Sequence, residues 1–456
     1  MNELNQTIVA IATAQGEGAL GVVRLSGKDS IEVANAVFKG KNLVKQASHT
    51  IHYGYIIEGS KTIDEVIVSI FKAPKSYTTE DSIEISCHGS LYIQEQIVSL
   101  LITKGARLAN PGEFTLRAFL NGRIDLSQAE AVADLIASNS EGSKQIALNQ
   151  LRGGFANELS VLREELINFA SLIELELDFS EEDVDFADRD ALVALIQKII
   201  TKLIPLIASF KLGNAIKNGI NVAIVGKPNA GKSTLLNTLL NEERAIVSEI
   251  AGTTRDTIEE TLNINGILFR FVDTAGLRET TDTIEKIGVE KAFQQIDKSS
   301  VYVYLFDMNT TNLDEVNEEL SLLNKGIPRI LLANKTDLVS AEKLTEFQNS
   351  EHDFIFISAK KKIKIEELKN SLYTKVIDSE ISVNDTIISN IRHYNSLQAA
   401  QEALQQSLEG IELGITGDLL AQDIRIALRE LGNITGEIDI DQDILGTIFS
   451  KFCIGK

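Results

Sequence analysis

Gly226-Lys-Pro-Asn-Ala-Gly-Lys-Ser233 sets how the rest of the chain is read. It follows the apolar, β-branched run Asn221-Val-Ala-Ile-Val225 and precedes Leu235-Leu-Asn-Thr-Leu239, whose leucines return at helical spacing. A strand, a G-x-x-x-x-G-K-S loop and a helix in that order make a phosphate cradle. Its glycines let backbone N–H groups face an anion at the helix N-terminus. Lys232 brings a point charge to the β- and γ-phosphates of a nucleotide, and the Ser233 hydroxyl is a ligand for Mg2+. Asn229, Ala230, Gly231, Lys232, Ser233 and Thr234 are the expected phosphate-binding residues.

Downstream, strands and helices keep alternating. Leu268-Phe-Arg-Phe-Val272, Val301-Tyr-Val-Tyr-Leu-Phe306, Arg329-Ile-Leu-Leu-Ala333 and Phe354-Ile-Phe-Ile357 are buried-strand patterns. The alternation predicts a doubly wound, mostly parallel sheet over residues 217–378. The strand ends carry the chemistry. Asp273-Thr-Ala-Gly276 places Asp273 for Mg2+, with Thr274 and Ala275 beside it and the Gly276 N–H near a γ-phosphate. Asn334-Lys335-Thr-Asp337 places a carboxylate that accepts from N1–H and the 2-amino group of guanine, which adenine does not offer in that arrangement. Ser358-Ala359-Lys360 buttresses the base. In Ala251-Gly252-Thr253-Thr254-Arg-Asp256, Thr254 is the expected switch ligand for Mg2+. These residues imply a Mg2+-dependent site for GTP. Leu277 stands where many small GTPases carry a water-orienting glutamine, so hydrolysis needs another acid or base and another positive charge.

The flanks read differently. Residues 1–120 hold short β-branched runs such as Thr7–Thr13, Gly21–Leu25 and Glu65–Phe71, separated by Gly, Ser and Asn, and predict a small α+β domain. Residues 121–216 and 379–456 have helical periodicity, as in Leu126, Ala129, Val132, Ala133 and Ile136. The acidic stretch Glu181–Asp190 reads as a solvated linker. The expected architecture is thus multidomain, α/β plus α+β, with the nucleotide domain inserted into a helical domain built from both flanks.

The chain has 456 residues, 65 acidic against 44 basic, for a net charge of −21. Such a balance argues against broad, independent binding to nucleic acid, because phosphate neutralisation needs clustered Lys and Arg. Two cysteines, Cys87 and Cys453, make no disulfide framework, which favours a reducing compartment. Met1–Thr7 lacks the basic start of a secretion signal. Gln197, Lys198 and Lys202 interrupt the apolar stretch Ala191–Phe210, as suits an amphipathic core helix better than a membrane span. Gly16-Glu-Gly18-Ala-Leu-Gly21 imitates a dinucleotide fingerprint, but a strand pattern follows it where a helix is required. The terminal Cys453-Ile-Gly-Lys456 is a poor prenylation box.

Over its full length the chain resembles the MnmE (TrmE) family of tRNA-modification GTPases. Beyond the nucleotide motifs, the resemblance rests on Gly21-Val-Val-Arg-Leu-Ser-Gly27, Pro111-Gly-Glu-Phe-Thr-Leu-Arg-Ala-Phe-Leu-Asn-Gly122, Ala245-Ile-Val-Ser-Glu-Ile-Ala-Gly-Thr-Thr-Arg-Asp256, Asp273-Thr-Ala-Gly-Leu-Arg-Glu279 and Phe452-Cys-Ile-Gly-Lys456. It implies an N-terminal folate-binding and dimerisation domain, a split helical domain and an inserted G domain. It also implies a flavoprotein partner of the MnmG (GidA) type in a heterotetramer. The pair would install a (carboxymethyl)aminomethyl group at C5 of the wobble uridine of certain tRNAs. The one-carbon unit would come from 5-formyl- or methylene-tetrahydrofolate, in the cytoplasm.

The same resemblance fills the gap left by Leu277. It implies G domains that pair across a homodimer, with K+ in place of an arginine finger. Asn229, Ser248, Ile250 and Thr253 would hold K+, within a nucleotide loop that runs through Ser248, Glu249, Ile250, Ala251, Gly252 and Thr253. Glu285 would orient water. Arg24, Glu84, Arg123 and Lys456 would bind folate, and Cys453 would act in the modification site. Two other readings start from the same nucleotide motifs. A ribosome-assembly GTPase would append a basic RNA-binding module, which is not visible here. A membrane-transport GTPase would need an uninterrupted apolar span of about 20 residues.

Overall fold

The computed structural model describes residues 5–14, 16–178, 188–241, 260–272, 296–323, 326–376, 386–436 and Gly455. These divide into two compact units, one from residues 1–136, 149–196 and 399–456, the other from residues 137–148 and 197–398.

The first unit opens on a seven-stranded sheet. Its strands are β1 (Ile8–Ile11), β2 (Leu20–Ser26), β3 (Phe38–Lys39), β4 (Thr50–Glu58), β5 (Lys61–Phe71), β6 (Ser82–His88) and β7 (Arg107–Leu108), in the order β3-β4-β5-β6-β2-β1-β7. All neighbours are antiparallel except β1 and β7. Strict alternation decides which face each side chain takes. Val66, Val68 and Ile70, Ile83 and Ile85, and Val23 and Leu25 point to one core. Ile97 and Leu101 of α2 (Leu91–Thr103) and Ile31, Val33 and Ala34 of α1 (Ser30–Asn35) join them there. The intervening residues therefore face the other way, and the β2–β6 register sets Arg24 directly across from Glu84. A smaller cluster on that second face joins Ile8, Ala10, Ala109 and Phe114, the last from α3 (Glu113–Leu120), with Tyr77 packed against it.

A buried charge network pins α3. Glu113 and Arg117 are each 2% exposed. Glu113 accepts from Arg107 at 2.6 Å and from Arg117 at 2.9 Å, and Arg117 also reaches Glu80 at 3.0 Å. Burial alone would raise the Glu113 carboxyl. Hydrogen bonds from Arg107, the Asn110 N–H and Arg117 outweigh it and hold the group below the usual glutamate value. Because the folded value is the lower one, this stabilisation is in place above the unfolded value of about 4.3 and fades as pH falls through the folded one. Glu113→Gln is expected to cost about 2 kcal/mol at neutral pH and progressively less below about pH 4. Urea unfolding at both pH values reads this, and an equal cost at each would show that the charge is not responsible.

Helices complete the first unit. In α4 (Leu126–Ala137), Asp125 accepts from the Gln128 N–H at 2.8 Å and Gln128 Oε1 accepts from the Asp125 N–H at 3.0 Å, a reciprocal cap. After α5 (Glu141–Leu151) comes α6 (Gly154–Asp178), whose Arg163 donates to the Leu428 carbonyl at 3.1 Å.

The 30-residue helix α7 (Arg189–Asn218) follows. By length and composition alone it could cross a membrane, with an 18-residue window of mean hydropathy 1.9. The sequence gave no such uninterrupted span, because Gln197, Lys198 and Lys202 break it; only two charges fall in the window. Leu192, Leu195, Ile196, Ile199, Leu203, Leu206, Ser209 and Leu212 are buried as one stripe, whereas Gln197, Lys198 and Lys202 are exposed. One-sided burial at helical spacing is the signature of a core helix.

The second unit holds β8 (Ile220–Val225), β9 (Glu260–Ile264), β10 (Ile267–Val272), β11 (Val301–Asp307), β12 (Arg329–Asn334) and β13 (Phe354–Phe356), in the order β13-β12-β11-β8-β10-β9. Every pairing is parallel except the β9–β10 hairpin. Helices α8 (Lys232–Asn241), α9 (Leu313–Leu322), α10 (Ala341–Gln348) and α11 (Ile365–Val376) connect or flank the strands. Both faces are buried. Val222, Ile224, Val303, Leu305, Ile330 and Leu332 pack with Leu235 and Leu239 of α8, while Tyr302, Tyr304, Phe306 and Leu331 pack with Phe347 of α10. That two-sided burial explains why these strands read as continuous apolar runs. The last helices are α12 (Ile391–Leu413) and α13 (Gly417–Thr435), the latter packed on α6.

Candidate functional site

The loop between β8 and α8 lies at the carboxyl ends of the parallel strands, where doubly wound sheets bind ligands. Gly226 has φ +148, and a Cβ there would lie 1.9 Å from the Leu305 carbonyl oxygen. Gly231 has φ +104, and a Cβ there would meet Asn334 Nδ2 at 2.3 Å. Both positions exclude any other residue, and both bring backbone close to where a phosphate belongs. Asn229 takes the left-handed region, φ 63, and is exposed. Lys232 Nζ donates to the Gly226 carbonyl at 2.6 Å and the Lys227 carbonyl at 2.9 Å, and burial lowers its pKa. It thus sits over the loop, folded back on its own cradle. Ser233 and Thr234 are exposed in the first turn of α8.

Asn334 ties three loops together. It is 2% exposed. Its Nδ2 donates to the Ala230 carbonyl at 2.8 Å, and its Oδ1 accepts from the Ala359 N–H at 3.0 Å. Lys335, at φ 64, donates to the Asn229 carbonyl at 2.9 Å and pairs with Asp307 at 2.6 Å. Thr238 of α8 donates to the Ala359 carbonyl at 2.9 Å. Ser358 Oγ donates to Asp337 at 2.7 Å, and chiefly for that reason the Asp337 carboxyl is held below the usual aspartate value; Lys361 and Lys360 add to it. A fixed, ionised acceptor therefore stands at the rim with its second oxygen available. Asp307 and Thr238 were not singled out from sequence. Asp307 carries one signal, a carboxylate at the end of a buried strand beside the Asn334 strand. Thr238 carries none.

The Arg24 region lies in the first unit. Arg24 Nη2 meets Glu84 Oε1 at 2.8 Å, and its Nε meets the same oxygen at 3.0 Å. The pair is only partly buried, at 25% and 32% exposure. The Arg24 guanidinium lies 5.8 Å from the Tyr77 ring and 5.8 Å from Phe114, and Arg123 lies 5.1 Å from Tyr77. So the structure brings Arg24, Glu84 and Arg123 around one aromatic ring, which sequence reasoning had not included. Gly455 packs on β1, where a Cβ would lie 2.0 Å from the Ile11 carbonyl oxygen. Cys87 is buried, and its thiol is pushed up to about 11, chiefly by that burial. It is therefore no nucleophile at neutral pH.

Ser248, Glu249, Ile250, Ala251, Gly252, Thr253, Thr254, Asp273, Thr274, Ala275, Gly276, Leu277, Glu285, Cys453 and Lys456 lie outside the described residues, as do residues 181–187 of the acidic stretch. Among the described residues, no three His, Cys, Asp or Glu side chains cluster in a way that could hold a metal ion. Such a cluster is not needed for the Mg2+ site expected here, whose ligands are hydroxyls and phosphate oxygens.

The family described as MnmE helical domain matches residues 126–453, and the one described as GTP-binding protein TrmE N-terminus matches residues 7–123. The chain is 54% identical to the tRNA modification GTPase MnmE of Flavobacterium johnsoniae, over 99% of this chain and 100% of that one. It is 53% identical to the protein of that name from Christiangramia forsetii, over the whole of both chains. It is 50% identical to that from Bacteroides fragilis, over 99% of this chain and 100% of that one. It also matches the solved G-domain of FeoB from Methanococcus jannaschii at 29% identity, over 34% of this chain and 97% of that one, with a TM-score of 0.25.

Proposed function

Because this chain belongs to the MnmE (TrmE) family, whose members are named tRNA-modification GTPases, we propose that it hydrolyses GTP to drive modification of the wobble uridine of certain tRNAs. The observation that carries the GTPase part is the Asn334 clasp, which holds the phosphate loop and the Ser358–Lys360 loop beside Asp337. Asp337 selects guanine. Lys232 leaves the Gly226 and Lys227 carbonyls to meet phosphate oxygens, and backbone N–H groups of the loop accept the remaining charge. Ser233, Thr254 and Asp273 would hold Mg2+, which neutralises charge developing on the phosphates.

Leu277 cannot orient water, so the proposal assigns that task to Glu285. The missing positive charge would come from K+ held by Asn229, Ser248, Ile250 and Thr253 across a G-domain pair. The exposed carboxamide of Asn229, on a left-handed residue of the cradle, fits that role. The homodimer is further supported by the open face of β4 and β5, where Ile51, Tyr53 and Ile67 are 70%, 60% and 45% exposed.

For the one-carbon chemistry, Arg24, Glu84, Arg123 and Lys456 would bind a tetrahydrofolate derivative, 5-formyl or methylene, and Cys453 would act at the modification site. The partly exposed Arg24–Glu84 pair fits a ligand that offers both a donor edge and carboxylates. Gly455 on β1, the neighbour of the Arg24 strand, supports a role for the terminal residues here. An MnmG-type flavoprotein would supply redox chemistry and basic surface for tRNA, since a net charge of −21 leaves little here. The division of labour follows as residues 1–120 for folate and dimerisation, 121–216 and 379–456 for the helical domain, and 217–378 for the G domain. A tRNA substrate and the buried stripe of α7 both favour a cytoplasmic location.

The test pairs two measurements. GTP hydrolysis in K+ is expected to exceed that in Na+ by at least about tenfold, because only a correctly sized cation supplies the missing charge. Wobble nucleosides from cells carrying Asp273→Ala, Cys453→Ser or Arg24→Ala are expected to lose the modification in mass spectra. Equal rates in Na+ would remove the K+ mechanism, and intact nucleosides in all three variants would remove the site assignments.

A further inference from the structure

The Arg24 and Arg123 guanidinium groups share one ring, Tyr77, at 5.8 and 5.1 Å. Cations sit over an aromatic ring because its face is the negative part of the quadrupole. Two like charges would otherwise drift apart into solvent, above all Arg123, which is exposed. The ring itself cannot swing freely. Its hydroxyl shares a 2.9 Å hydrogen bond with Thr115 Oγ1, and its body packs on the Ile8, Ala10 and Phe114 cluster.

Each guanidinium has also been oriented. Arg24 spends Nε and one Nη on Glu84, and Arg123 spends one Nη on the Ser76 carbonyl at 2.6 Å. A guanidinium offers five N–H donors in a rigid fork, so both keep donors for a carboxylate. The Glu84 carboxylate is the complementary acceptor. It suits the amino and ring N–H edge of a pterin, whereas the two arginines suit the carboxylates of a glutamate tail.

We propose that Tyr77 is a specificity-determining residue of this site: by spacing Arg24 and Arg123 it makes the site prefer a folate carrying its glutamate tail over a bare reduced pterin. This rests on the folate reading given above and adds to it a residue that acts through the two cations. Tyr77→Leu keeps apolar bulk but has no quadrupole, so it should disturb the tail contacts and spare the ring contacts to Glu84. Tyr77→Phe keeps the quadrupole.

The experiment titrates the full-length protein with 5-formyltetrahydrofolate and with tetrahydrobiopterin, which lacks the tail. Wild type is expected to prefer the folate by at least about tenfold, Tyr77→Phe to keep that preference, and Tyr77→Leu to lose most of it with pterin affinity changed by less than about threefold. If Tyr77→Leu keeps the preference, or loses both ligands equally, the role of Tyr77 is overturned while the folate site stands. If wild type binds neither ligand, the folate reading falls and takes this inference with it.

Discussion

Asp337→Asn is expected to weaken GTP binding by about 100-fold or more and to turn the site toward xanthosine triphosphate. The Asp337 carboxylate accepts from two guanine donors, and hydrogen bonds to a charged group contribute about 1.5–3 kcal/mol each. Asparagine offers one acceptor and one donor, so one guanine donor loses its partner and the charge is gone from both. Xanthine carries a carbonyl where guanine carries the amino group, and the new amide N–H can donate to it. The fold should not notice. Asp337 is exposed, and the Ser358 hydroxyl that donates to it at 2.7 Å can donate equally to an amide oxygen. Because Ser358 and the neighbouring lysines keep the carboxyl below its usual value, wild-type affinity for GTP should stay flat from pH 8 down to about pH 5. Competition titrations with both nucleotides, beside a thermal melt, check the claim. A GTP affinity within about threefold of wild type would show that Asp337 does not read the base.

The nucleotide site was legible because its chemistry is local in sequence. Gly226 to Ser233 form one loop between one strand and one helix, and Asp337 follows the strand that ends at Asn334. What spacing cannot show is how separate loops are joined. Asn334 reads as part of a guanine motif, yet its side chain is spent on Ala230 and Ala359, so its work is to fix the distance between base and phosphate subsites. The N-terminal sheet was less legible. Glu65–Phe71 stood out as a strand, but β5 begins at Lys61 and pairs with all of β4. On β4 the alternating outward residues Ile51, Tyr53 and Tyr55 are apolar, which blurs the two-residue period. Arg24 and Glu84 looked like unrelated charges 60 residues apart until the β2–β6 register put them opposite each other. Tyr77 carried no periodic signal, since it lies in a loop and its importance comes from the two cations that share its ring.

Gly226→Ala should be the most damaging single-methyl change in the second unit. The added Cβ would lie 1.9 Å from the Leu305 carbonyl oxygen, and neither partner can yield. Leu305 is locked in β11 between β8 and β12, where it pairs with Leu332, and residue 226 directly follows the last residue of β8. Gly226 also has φ +148, a region nearly closed to other residues. A backbone clash added to conformational strain is expected to exceed about 4 kcal/mol, and for a unit of this size that lowers the melting temperature by about 10 °C or more. Gly266→Ala separates the two contributions. Gly266 also has positive φ, +85, but its nearest atom to an added Cβ is 3.6 Å away, an ordinary contact. It carries strain without the clash and should cost about 1–2 kcal/mol. If the two variants melt within about 2 °C of each other, strand packing against the phosphate loop does not enforce glycine at 226. If Gly226→Ala alone collapses, the glycine is required first by the sheet beneath the cradle, and its service to the phosphate depends on that fit.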